Sequence, residues 1–226
     1  MSDPIRAKIR DAVFGTQDGL ISTLGALTGI AAGTQSQQAV VIAGFVIVSV
    51  ESLSMAAGSY LSSKSQRQYL ERLLEEERQA IEREPENERT ELLEMYRRRG
   101  FTDEEIRIVA RRLFANKKWL LEDMAHKELG ICPSQLEEPF SNAIVMGLSY
   151  LIGGSVPVVP YTLLPIRVAL PVSILATALV LFAFGGVKGR VVHRGWLASG
   201  LEMLGIASSA CLLGWGIGTL VKGWAP

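Results

Sequence analysis

The sequence predicts an all-α, polytopic membrane protein with five transmembrane helices and a cytosolic helical insertion between helices two and three. The first observation behind this is charge segregation. Residues 19–50, 141–166, 168–187 and 203–221 contain no Asp, Glu, Lys or Arg, whereas most ionic side chains lie between Lys64 and Glu138. Uncharged apolar runs on this scale match the ~20 residues that an α-helix needs to cross ~30 Å of hydrocarbon. The second observation is that the charged block carries helix punctuation: Pro85, Gly100, the run TDEE and Gly130. The expected division is residues 1–62 for helices one and two, 63–136 for the insertion and 137–226 for helices three to five. The 23 basic and 23 acidic residues average over two solvents, so their balance gives no argument for nucleic acid. Nor do basic residues alternate with aromatics as stacking on bases requires.

Residues 1–10, with Arg6, Lys8 and Arg10, read as a short amphipathic lead-in. No cleavable signal peptide is expected, because the following apolar run is too long for one. The first span, about 11–33, is rich in Gly, Ala, Ser and Thr, which let membrane helices approach closely. It holds an embedded acid, Asp18. The short linker TQSQQ makes the second span, about 38–61, an antiparallel neighbour. That span changes midway from the β-branched AVVIAGFVIVSV to the small, polar ESLSMAAGSY, as expected where one end lines protein or a cavity. The helix then continues as a charged segment with a narrow apolar stripe (Tyr69, Leu70, Leu73, Leu74) until Pro85, which lacks the N–H needed to go on. Further insertion helices are expected over 86–99, from Thr102 with Glu105 in capping-box spacing, and over 117–129. The third span starts near Pro139, and Pro157 and Pro160 imply a kink or unwound exit. The fourth covers about 167–187 and the fifth about 196–221, with Trp196 and Trp224 as interfacial anchors. Arg6, Lys8, Arg10, the insertion, Lys188, Arg190 and Arg194 fall on one side and only Arg167 and Lys222 on the other. The positive-inside rule therefore places the N-terminus and insertion in the cytosol.

Ionisable residues at membrane depth are costly and by default mark a substrate or ion pathway. Asp18, Glu51 and Met55 form such a set. Glu51 and Met55, one turn apart, project from one helical face. Carboxylates suit hard and borderline divalent cations, and a thioether adds softness that Mg2+ and Ca2+ do not need. The plain alternative is that Glu51 bonds a neighbouring helix and Met55 only packs. In the insertion, most acids must be solvated face. Glu77, Glu84, Glu88 and Glu91 stand out by register, and Met124 with Glu128 repeats the thioether–carboxylate pair at i, i+4. Such a cluster fits loosely bound Fe2+ or Mn2+. His126 lies on another face, and His193 reads as interfacial. Cys132 and Cys211, far apart and in unlike surroundings, are not expected to pair. No phosphate loop, nucleophile elbow, HExxH or paired Glu-x-x-His motif is present, so no enzymatic activity is expected.

Several of these segments together resemble one known family. QDGLISTLGALTGIAAG in span one, SMAAGSYLSSKSQRQ at the end of span two, the acidic insertion broken by Pro85, SYLIGGSVPVVPY in span three and the glycine-rich fifth span are similar to the vacuolar iron transporter family of Fe2+/Mn2+ carriers. The resemblance implies a homodimer with an ion path between subunits, a cytosolic metal-collecting domain and proton exchange as driving force. It makes Asp18 and Met55 pore residues and Glu77, Glu88, Glu91, Met124 and Glu128 cytosolic metal ligands. Three positions depart from the pattern. Ile47 stands where the family's second-span glutamate is expected, leaving Glu51 one turn nearer Met55. Ala80 replaces a cytosolic glutamate, with Glu84, one turn on, as the expected substitute. Ala125 replaces a second methionine, leaving a harder site that favours Mn2+.

The function expected is export of Fe2+ or Mn2+ from the cytosol by proton antiport, with the metal as cargo and no prosthetic group. The rival is a membrane-anchored metal sensor or store that binds metal in the insertion and transports nothing. The expected partners are a second copy of the chain, divalent metal ions, protons and the bilayer. The compact chain favours a prokaryotic cell membrane; in a eukaryote the resemblance implies the vacuolar membrane.

Overall fold

The computed structural model describes residues 3–128, 130, 136–191 and 195–224. Leu129, Cys132, His193 and Arg194 lie outside the described residues. All regular structure among the described residues is α-helical: α1 (Asp3–Thr34), α2 (Gln37–Arg83), α3 (Pro85–Arg98), α4 (Asp103–Phe114), α5 (Lys117–Glu128), α6 (Pro139–Leu163), α7 (Ile166–Val191) and α8 (Trp196–Lys222). The amphipathic lead-in and first span expected separately are one helix, α1. Gln35 makes the turn into α2 with φ of +51°, a left-handed conformation uncommon outside glycine.

The chain forms two compact units, Arg6–Tyr60 with Pro139–Pro226, and Met1–Ile5 with Leu61–Glu138. Among the described residues, four helices are long and apolar enough to cross a membrane: Gln37–Arg83, Pro139–Leu163, Ile166–Arg190 and Trp196–Lys222. α1, expected as the first span, is not among them. Its middle carries Thr16, Gln17, Asp18, Ser22 and Thr23, which dilute its apolar character. It is nonetheless deeply packed, with Leu20, Thr23, Leu24 and Leu27 buried. Its backbone touches that of two other helices. A Cβ on Gly19 would stand 2.5 Å from the Tyr150 carbonyl oxygen of α6, and one on Gly214 of α8 would stand 2.0 Å from the Gly25 carbonyl oxygen. Small residues permit such approach, and in lipid this packing replaces the hydrophobic drive for helix association. α7 packs on both α6 and α8, with Phe182 and Trp196 edge to face at 6.0 Å. Phe45, Leu53, Leu212 and Leu220 are exposed, as an acyl-chain-facing surface allows.

α6 does not unwind at its prolines; it runs through Pro157 and Pro160 to Leu163. Carbonyls in this stretch are served from other helices. Ser173 Oγ donates to the Pro157 carbonyl (2.7 Å), and Gln37 Nε2 donates to those of Tyr161 and Leu164 (3.0 Å each). The carbonyls that the prolines leave without a helical N–H are those of Gly153 and Val156, four residues earlier; these three bonds instead tie the C-terminal turns of α6 and the residue after it to α2 and α7.

The second unit has its own apolar core of Ile81, Leu92, Tyr96, Ile106, Ala110, Leu120 and Met124. Pro85 opens α3 where a missing N–H is harmless. The capping box of α4 is formed, with Thr102 Oγ1 accepting from the Glu105 N–H and the Glu105 carboxylate accepting from the Thr102 N–H. Lys127 is half-buried and well partnered: its ammonium donates to Tyr96 Oη and Asp123 Oδ2 and lies over the Tyr96 ring. Among the described residues Cys211 is a free thiol.

The close approach of α1 and α8 predicts opposite behaviour for two glycines one turn or less apart. Gly214→Ala forces the α8 backbone away from Gly25 and costs on the order of 1–3 kcal/mol. Gly216, with nothing within 4 Å of a Cβ, gains helix propensity from the same change. Thermal melting of the full chain in detergent should show Gly214→Ala lowered and Gly216→Ala unchanged or raised; equal melting of the two would refute the contact.

Candidate functional site

In the membrane unit, Asp18 on α1 is half-buried, and Glu51 and Met55 on α2 are exposed and half-buried respectively. Asp18 and Glu51 lie close enough for one carboxylate's charge to act on the other. Two further residues belong to this constellation that residue patterns did not single out. Asp11 is buried, accepting from Ser59 Oγ at 2.9 Å and from Arg10 Nε at 3.2 Å. Asp11 precedes Asp18 by two turns on one face of α1, as Ser59 follows Met55 and Glu51 in one-turn steps on α2. That seven-residue spacing was the available signal. The other is Tyr150 of α6, fully buried, whose hydroxyl shares a 2.8 Å hydrogen bond with Ser22 Oγ and feels both Glu51 and Asp18. Its signal was weaker, a lone tyrosine in an apolar run. The α1–α2 face thus carries an acid pair, a thioether and a third, hydrogen-bonded acid.

The insertion unit gathers the second set. Glu77 of α2 and Glu88 of α3 are buried, and each has a carboxylate oxygen without a hydrogen-bond partner among the described residues. Glu84, Glu91 and Glu128 are exposed around them. Burial pushes the Glu77 carboxyl up to about 7, helped by the charges of Glu128, Glu88 and Glu91. Burial raises Glu88 as well, followed by Glu91, Glu128 and Glu84, and burial followed by Glu91 raises Glu128. Each carboxylate here disfavours ionisation of the next. The cluster is open: among the described residues no three His, Cys, Asp or Glu side chains converge as a ready-made metal shell. The five carboxylates share an electrostatic field without closing on one point. Met124 lies fully buried in the apolar core, one turn from Glu128, while His126 faces solvent. Glu84 also accepts a hydrogen bond from Asn87 Nδ2.

The chemistry of this donor set fits a divalent cation. Two buried oxygens lack partners, and a raised carboxyl group is one whose charge awaits a counter-charge. Oxygen-rich sites with one thioether suit Fe2+ and Mn2+ better than the softer, thiolate-seeking metals.

Comparison with known proteins gives a consistent picture. The model of the VIT family matches residues 9–219. Vacuolar iron transporter 1 of Eucalyptus grandis is 30% identical over 209 residues, covering 91% of this chain and 84% of that protein. Vacuolar iron transporter 1 of Arabidopsis thaliana is 30% identical over 203 residues, covering 89% and 81%. The vacuolar iron transporter of Acanthamoeba castellanii is 32% identical over 181 residues, covering 80% and 66%.

The raised carboxyl of Glu77 sets the sign of a stability effect. The folded protein holds this proton up to about pH 7, whereas an unfolded glutamate releases it near 4.3. Between those values the unfolded state binds fewer protons, so the ligand-free fold loses stability as pH rises. Glu77→Gln removes the charge. It should leave stability nearly unchanged at pH 5 and raise it by about 1–2 kcal/mol at pH 8, a figure discounted for screening. Denaturation of the metal-free full chain at both pH values measures this; an equal effect at both would show that Glu77 titrates normally.

Proposed function

The chain belongs to the VIT family, and from that premise we propose that it is a divalent transition-metal transporter moving Fe2+ or Mn2+ out of the cytosol. The observation that carries this reading is Glu51, an exposed carboxylate on a helix of bilayer-spanning apolarity, flanked by the exposed Val50 and Leu53. An acid facing acyl chains at the middle of a span costs about 2.5–3.5 kcal/mol on insertion scales. The cost vanishes if that face lines an aqueous ion path. Asp18 within electrostatic reach supplies a second oxygen ligand and Met55 the thioether. The names of the relatives support iron as a cargo, and the carboxylate-rich insertion supports manganese as an equal candidate.

In this reading α1 also crosses the membrane, bringing the spans to five, its polar middle shielded by α6 and α8. The N-terminus and the insertion face the cytosol, and two subunits form a homodimer with the path on its axis. Glu77, Glu84, Glu88, Glu91, Glu128 and Met124 collect metal from the cytosol. Metal then passes to Asp18, Glu51 and Met55 and is released on the far side as those acids take up protons, giving antiport. The membrane is the vacuolar one in a eukaryotic cell and the cell membrane in a prokaryote.

Flux into sealed proteoliposomes tests the proposal. Wild type should accumulate Mn2+ or Fe2+ against an opposing proton gradient. Glu51→Gln should cut the rate at least about tenfold, the loss expected from removing a charged ligand, while the purified protein keeps its assembly state. A wild-type rate in Glu51→Gln would remove the pore assignment. Metal binding without any accumulation in wild type would instead identify a sensor or store.

A further inference from the structure

At the end of the membrane unit where α1 stops, a cavity of about 500 Å3 is lined by Gln35, Arg167 in the first turn of α7, and Trp215, Thr219 and Lys222 of α8. Arg167 and Lys222 close otherwise uncharged runs, and the fold brings them to one pocket. Among the described residues no acidic one lines it. Among the described residues neither cation forms an ion pair. Two like charges sharing a pocket repel, and the start of α7 adds the positive end of a helix dipole. The pocket therefore asks for an anion. Thr219 contributes no donor, because its hydroxyl already donates to the Trp215 and Gly216 carbonyls. The donors left for an anion are the guanidinium, the ammonium and the Gln35 amide.

A second cavity, of about 660 Å3, lies between α1 and α8 and also reaches Lys222. Its walls are apolar, including Gly25, Gly29, Gly33, Ile217 and Val221. The ammonium thus stands where a cationic pocket meets an apolar groove. Trp215, exposed at the pocket, is the residue type that sits at headgroup level. We propose that Arg167 and Lys222 bind the phosphate of an anionic phospholipid whose acyl chain lies in the α1–α8 groove. Arg167 presents a fork that matches two phosphate oxygens, and Lys222 acts as a point charge. The groove's wall includes Ser22, the hydrogen-bond partner of Tyr150, so the acyl-chain end of the site borders the proposed metal pathway, and the lipid test reads it without metal.

The test uses the full chain in mild detergent, exposed to phosphatidylglycerol or phosphatidylcholine and read by native mass spectrometry. Phosphatidylglycerol should be retained roughly tenfold or more in preference to phosphatidylcholine, the scale two interfacial cations supply. Arg167→Gln/Lys222→Gln should lose the preference with an unchanged melting temperature, and Arg167→Lys/Lys222→Arg should keep it. Equal retention of both lipids by wild type, or a preference that survives the double glutamine change, overturns the proposal. Displacement of phosphatidylglycerol by equimolar inorganic phosphate would show a free-anion site and overturn the lipid assignment. So would a change of oligomeric state in the double glutamine variant without lipid, which would make the groove a contact between copies.

Discussion

Backbone contact along α1 is the constraint on which the membrane unit depends. Of the five long helices, α1 is the one whose side chains could least be left facing acyl chains, since it carries Asp11, Thr16, Gln17, Asp18, Ser22 and Thr23. Lipid offers no hydrophobic drive to bury it, so its place must come from close packing and from hydrogen bonds. Gly19 against α6 and Gly29 against α8 bring backbones so near that a single methyl would not fit. The contact has a chemical consequence. Gly15 and Gly19 flank Asp18 and draw in the α6 turn that bears Tyr150, so the same glycines that hold the helix also set what surrounds its acid. Ser59, donating to Asp11, ties α2 to this arrangement.

The insertion obeys a different constraint, the mutual repulsion of carboxylates that are partly removed from water. Its apolar core is small, and Met124 and Leu92 fill it on one side while Glu77 and Glu88 border it. A buried carboxylate oxygen without a partner costs free energy. The unit accepts that cost twice, and it lessens the cost by holding the Glu77 proton to about neutral pH. A cation that displaced this proton would supply the missing partner, so metal affinity and protonation of one side chain are linked by mass action.

Much of the fold was legible because it rests on local physics. Charge-free runs, the Pro85 break and the Thr102–Glu105 cap each act within a few residues, and each is present as expected. What was not legible depends on partners distant in sequence. Pro157 and Pro160 read as an unwound exit because Ser173 and Gln37, which tie the end of α6 to α7 and α2, lie on other helices. α1 read as a span by its small residues, yet its mean hydropathy alone does not make it one; its burial comes from α6 and α8. At the site, Asp18, Glu51 and the glutamates could be named from spacing. Asp11 could not be told from an interfacial acid until Ser59 was seen to reach it, and Tyr150 had no periodicity to mark it.

The departures from the family pattern take on physical meaning in this setting. Ala125 is fully buried, as is Met124 beside it. A methionine there would have to displace core side chains around Leu120 and Met124, which is overpacking rather than the simple addition of a sulfur. Ala80 is different. It is half-buried, one turn after Glu77 and one turn before Glu84. A carboxylate at that position would add another like charge beside Glu77 and drive its proton affinity higher still. With alanine there, and with Glu84 exposed and engaged by Asn87, the repulsion on Glu77 comes from Glu128, Glu88 and Glu91 alone. The missing acid therefore keeps the buried carboxyl titrating near neutral pH, where a small change in proton concentration shifts its charge the most.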